Sequence, residues 1–208
     1  DKFDQSITKG IKADLIIFPY LEDMSEGTIA AAGACLAQSS DNRPVVGILE
    51  INKSNSNNQN SDNFVTYLKT ILFHEITHVL VFSPGLIESF TGEEIKTVKG
   101  RNGITYYGLS TPKVMEKARK HFNCNSLTEM YLENQGGTGS AGSHWEARFM
   151  LGDYMISTSY PEMVISDITL ALFEDSGWYK VNYYTGGLFR FGKGRGCSFF
   201  SEKCVSNG

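Results

Sequence analysis

His74 and His78 stand four residues apart with Glu75 beside the first, inside the apolar stretch 71–85, ILFHEITHVLVFSPG. On a helix, residues four apart share one face, one turn apart, so both imidazoles can reach a single point. Zinc takes imidazole nitrogen at about 2.0–2.1 Å and prefers tetrahedral geometry. A carboxylate next to the pair can take a proton from water that the ion has acidified, and that water can then attack a peptide carbonyl. The pattern HExxH has only three fixed residues, and the competing account is a helix with two ordinary histidines. The setting weighs against it, because two histidines and a glutamate are costly to bury unpaired in an apolar helix.

A third protein ligand must come from elsewhere, and three sources are open. A glutamate of the kind found in thermolysin-like sites could be Glu88, Glu93 or Glu94, but these lie in a turn-rich stretch. His121 sits at the end of a helical pattern beside Lys117 and Lys120, where a histidine more often caps the last carbonyls. His144, in GSAGSHWEAR, follows a glycine-rich run that lets the backbone approach an ion closely. His144 is the favoured candidate.

Several elements must position these groups. ADLIIFPYL (13–21), GTIAAAGACLAQ (27–38) and RPVVGILEIN (43–52) read as strands separated by turn-like EDMSEG and SSDNR. An asparagine-rich run, 52–63, reads as a solvated loop. Val65, Leu68, Ile71, Leu72, Ile76, Val79 and Leu80 then recur at helical spacing, which predicts a helix of about five turns. Asp62 or Asn63 could cap it, and Ser83-Pro84-Gly85 ends it. From Gly85 to Gly108 the pattern is weak, apart from a hairpin-like TVKGRNGITYYG. STPKVMEKARKHF (110–122) predicts a second helix capped by Thr111, with Val114, Ala118 and Phe122 as its buried stripe. A third helix is predicted over 164–178, and the glycine- and aromatic-rich tail reads as irregular.

Bulk properties narrow the function. The chain has 208 residues, with 41% apolar and 20% charged residues, as in an ordinary globular domain. Net charge is −4 and no basic stripe is visible, which argues against nucleic acid as a partner. No apolar run approaches the roughly 20 residues a membrane helix needs. The four cysteines, Cys35, Cys124, Cys197 and Cys204, include no CxxC pair, so a thiolate metal site or redox motif is not expected. Asn52-Lys53-Ser54 is a candidate glycosylation acceptor.

FHEITHVLVFS (73–83) and GSHWEAR (142–148) together resemble the leishmanolysin family of metzincin zinc proteases. HFNCNSL, ITLALFEDSGWYKVNY, GCSFFSEKC and GTIAAAGACLAQSSDNRPVVGILEIN extend the resemblance over almost the whole chain. It implies an α+β metzincin-like domain that holds one zinc ion on His74, His78 and His144, with Glu75 as general base. It also implies a methionine turn beneath the ion, at Met155 or alternatively Met163. Residues 1–83 would form an upper lobe with a twisted mixed sheet and the zinc helix, and 84–208 a lower lobe. A protein or peptide substrate would pair with the edge strand GTIAAAGAC. The implied setting is extracellular or at the cell surface, with the chain a catalytic-domain fragment of a longer protein. The resemblance pairs Cys124 with Cys197 and leaves the partners of Cys35 and Cys204 outside the chain, a short Cys197–Cys204 loop being the alternative. One departure stands out: Val81 occupies the position where metzincins carry a glycine. If that position needs positive φ, a β-branched residue costs about a kcal/mol or more. A decayed, zinc-keeping adhesion or binding module is therefore the alternative function.

Overall fold

A computed structural model describes residues 10–25, 27–54, 62–158 and 163–202, with side chains described outside 62–67 and 138. Most of the asparagine-rich run, Cys204 and the side chains of Asp62 and Asn63 lie outside these residues.

The three predicted strands form one mixed sheet in the order β1-β3-β2. β1 (Ile16–Glu22) runs parallel to β3 (Pro44–Asn52), pairing Ile16 with Val46 and Glu22 with Asn52. β2 (Ala30–Ala37) runs antiparallel to β3, with Ala30 opposite Ile51. The register shifts between Ala34 and Leu36, which leaves Cys35 without a partner across the ladder, exposed and with a free thiol. β3 takes the centre because it is richest in Val, Ile and Leu. Among the described residues β1 and β2 are left as the two edges. Asn52 is not available as a glycosylation acceptor: it is 4% exposed, its amide donates to Thr28 O, and its side-chain oxygen accepts from Ser54.

α1 (Asp62–Leu80) lies across β2 and β3. Its apolar stripe meets the sheet closely at Gly47. A Cβ there would stand 2.4 Å from Val79 Cγ1 and 3.2 Å from Gly33 O. Gly47→Ala must therefore push α1 off the sheet. Overpacking of this kind typically costs about 1–3 kcal/mol, to be read from chemical denaturation midpoints. Unchanged stability would show that the helix does not bear on β3 here.

The remainder builds a second, antiparallel sheet, β4-β5-β6 (Thr97–Lys99, Thr105–Leu109, Met130–Leu132), among short helices. α2 (Pro84–Thr91) was not expected; the proline that stops α1 also starts it, with Ser83 Oγ accepting from Leu86 N. α3 (Pro112–Phe122) packs on α5 (Asp167–Asp175) and buries Val114, Ala118 and Phe122 as anticipated. Thr111 precedes α3 but does not cap it. The Asp175 carboxylate takes that place, accepting from Lys113 N and Val114 N at 2.9 Å each, since an ionised acceptor outcompetes a hydroxyl at a helix start. α4 (Ala147–Met150) and α6 (Ser198–Ser201) complete the set.

The main core joins Val81 and Phe82 to Val114, Phe122, Leu132, Trp145, Met155, Leu172 and Phe200. A disulfide links Cys124 to Cys197, fastening the end of α3 to the tail. The class is α+β, as expected. Among the described residues no single helix is long and apolar enough to cross a membrane.

Candidate metal centre

α1 presents His74, Glu75 and His78 to a cleft of about 660 Å³. Its roof includes Ile29 and Ala30 to Ala32, leading into and along β2. Its floor includes Ser140, His144, Tyr154 and Ile156. The structure brings His144 to the two helical histidines. The Nε2 atoms of His74, His78 and His144 lie 3.0, 3.1 and 3.2 Å from one another.

Each imidazole turns its other nitrogen to a backbone carbonyl. His74 Nδ1 donates to Tyr154 O at 2.5 Å, and His78 Nδ1 to Phe82 O at 2.6 Å. His144 Nδ1 faces Ser140 O at 3.2 Å, with Ser143 Oγ at 3.1 Å. A carbonyl can only accept, so each neutral ring carries its proton on Nδ1 and leaves Nε2 as a lone pair. Three lone pairs facing one another, with no proton among them, repel unless a cation sits there. Three nitrogens at about 2.0–2.1 Å from a tetrahedral ion would be ~3.3 Å apart, close to the spacing found. The donor set fits a metal ion, and the three histidines can hold one. The backbone carbonyls behind them fix tautomer and ring orientation, as they do at metal sites generally.

Burial keeps these rings neutral. It lowers the pKa of His78 to about 3, with His74 and His144 adding to the shift, and that of His144 to about 4, with His74 adding. The His74 pKa is lowered by the same desolvation. Burial pushes Glu75 the other way, up to about 7, and the charge of a bound dication would draw it down again. Among the described residues no group hydrogen-bonds the Glu75 carboxylate. It lines the cleft with its accepting capacity unused.

The segment before His144 is held at both ends. Glu133 N donates to His144 O and Gly142 N to Glu133 O. The Glu133 carboxylate accepts from Asn134 N and Gln135 N at 2.9 Å. Gly142 has φ +76°, a conformation that favours glycine and turns the chain into His144.

Val81 does not adopt positive φ. Val81 N and Phe82 N both donate to Thr77 O at 2.9 Å, and Val81 is fully buried in the core. The chain leaves the helix because Ser83 precedes proline and is extended (φ −142°, ψ 152°). The turn thus needs no glycine, and it returns Phe82 O to His78.

The other candidate ligands lie elsewhere. His121 faces Phe191 O and stacks on Phe189. Glu93 and Glu94 line a separate groove with Phe90 and Pro112. Met155 is fully buried, and Met163 lines the cleft. Tyr154, Thr77 and Asp153 were not singled out from sequence. The Tyr154 hydroxyl bonds Thr77 Oγ1 at 2.7 Å and Thr77 Oγ1 donates to Phe73 O, tying the floor to α1.

A profile of the leishmanolysin family matches residues 3–208. A leishmanolysin homolog of Crithidia fasciculata is 33% identical over 97% of this chain and 30% of its own length. A leishmanolysin-like peptidase of Drosophila melanogaster is 32% identical over 85% of the chain and 31% of its length. A leishmanolysin of Leishmania chagasi is 31% identical over 96% of the chain and 32% of its length. The chain therefore spans about a third of the length of these relatives.

Proposed function

Because the chain belongs to the leishmanolysin family, we propose that it is a zinc-dependent endopeptidase acting on proteins. His74, His78 and His144 would be the ligands and Glu75 the general base. The observation that carries this reading is the set of three Nε2 lone pairs, 3.0–3.2 Å apart, beside a buried carboxylate with no hydrogen-bond partner among the described residues.

A zinc ion, when bound, supplies polarisation of the scissile carbonyl and acidifies water at the open position. The chain's own groups do the rest. β2, an edge of its sheet among the described residues, offers main-chain N–H and C=O groups to an extended peptide, and its alanines and glycine leave room for the incoming backbone. Glu75 takes the proton from the attacking water. It holds that proton in its buried setting and delivers it to the leaving amine. Met155 forms an apolar floor rather than a ligand. In this reading residues 1–83 and 84–208 are the lobes above and below the cleft. A secreted or cell-surface setting follows from the disulfide, which persists in oxidising compartments.

The test joins metal content to cleavage. Purified protein is expected to carry about one zinc and to cleave casein, to lose cleavage on chelation, and to regain it with added zinc. Zinc without cleavage would favour the non-hydrolytic binding module, and no zinc at all would end both readings.

A further inference from the structure

The buried carboxylate of Asp153 takes no part in the chemistry above, yet it sits at the centre of a closed ring of hydrogen bonds. Asp153 Oδ1 accepts from Met155 N at 2.8 Å. Its Oδ2 accepts from Thr169 Oγ1 at 2.8 Å and from Ser166 N at 3.1 Å. Thr169 Oγ1 in turn accepts from the ring N–H of Trp145 at 2.8 Å. The circuit closes through the backbone, where Trp145 N donates to Met155 O at 2.9 Å. Asp153, Trp145, Met155 and Thr169 are all fully buried.

The circuit is joined to two of the three histidines, to the His74 ring through the Tyr154 carbonyl and to His144 along the chain. Trp145 follows His144 directly, and it is held at two points, by its backbone N–H and by its indole. Tyr154 lies between Asp153 and Met155, and its carbonyl is the acceptor for His74 Nδ1. His78 stands apart, since its acceptor is Phe82 O at the end of its own helix. We infer that Asp153 is a positioning residue that fixes His74 and His144 relative to each other through Thr169, Trp145 and the 153–155 segment. The inference rests on the metal-centre reading and adds to it a named residue on which the fit of the site depends. The chemistry favours an ionised carboxylate, because all three of its partners are donors, and asparagine would set an NH2 against at least one of them.

The test compares isosteric variants by metal binding rather than by turnover. Asp153→Asn and Thr169→Val are expected to weaken zinc affinity by about 10–100-fold in competition with a chelator. Both are also expected to alter the d–d absorption of the cobalt-loaded protein, which reports ligand geometry. Thr169→Ser keeps the hydroxyl and should restore parent affinity and spectrum. Asp175→Asn is the control: it deletes a carboxylate that accepts two backbone N–H groups at the start of α3, so it should lower thermal stability and leave the spectrum alone. If Asp153→Asn does not fold, Thr169→Val decides the matter. A parent-like affinity and spectrum in Asp153→Asn or Thr169→Val overturns the inference, as does an equal change in Asp175→Asn. If the parent chain itself binds neither zinc nor cobalt, the metal-centre reading falls, and that result is distinct from a loaded parent whose variants behave like it.

Discussion

His144→Ala should leave the purified chain without metal. The two helical imidazoles would remain, held by Tyr154 O and Phe82 O. Two nitrogens from one helical turn cannot enclose an ion, and water would have to fill the rest of its coordination. Loss of a group behind a ligand already costs about 10–100-fold in affinity, so loss of the ligand itself must cost more. Bound zinc after dialysis is expected to fall to a small fraction of the parent value, and casein cleavage with it. Cleavage should not return at zinc concentrations that saturate the parent. The comparison also decides between ligand sets: full occupancy in His144→Ala would mean that another group, such as a glutamate, completes the site. The positions of Glu93 and Glu94 in a separate groove make that outcome unexpected.

Glu75→Gln should do the reverse, keeping the metal and removing the reaction. The two side chains have the same shape, and the amide cannot accept a proton at neutral pH. Among the described residues lining the cleft, no other carboxylate stands ready to replace it. General-base catalysis is typically worth 10²–10⁴-fold, or about 3–5 kcal/mol of barrier. The variant is therefore expected to bind zinc like the parent and to cleave casein slower by roughly that factor. A rate within tenfold of the parent would remove Glu75 from its assigned role. The stability of the folded chain should not fall, because burying the charged form of Glu75 is what raises its pKa, and glutamine carries no charge to bury.

What could be read beforehand depended on how local the signal was. α1 and the three strands announce themselves through apolar periodicity, and His74, Glu75 and His78 follow from four-residue spacing on that helix. α2 was hidden because Ser83-Pro84-Gly85 reads as a terminator, although serine before proline also serves as a helix start. Thr111 was expected to cap α3 because it is adjacent, while the actual acceptor, Asp175, arrives from about sixty positions further on. Val81 looked like a defect only while its backbone conformation was unknown. The groups behind the imidazoles could not have been found from residue types. Tyr154, Phe82 and Ser140 contribute main-chain oxygens, which every residue has, and Asp153 in LGDYMIS carries no pattern of its own.

The disulfide and the histidine cluster have a topological consequence. Cys124 and Cys197 close a loop with a separation of 73 residues, while a filled centre would join His78 to His144 across 66. The two loops overlap in sequence, sharing the stretch 124–144. Each crosslink of this span alone restricts the unfolded chain by an amount worth about 4 kcal/mol in a chain-entropy account. Because both confine the shared stretch, the second restricts less freedom than the first, and their contributions do not add. Reduction alone or metal stripping alone therefore leaves one staple in place, and only the loss of both frees the shared stretch 124–144 of the unfolded chain from every loop.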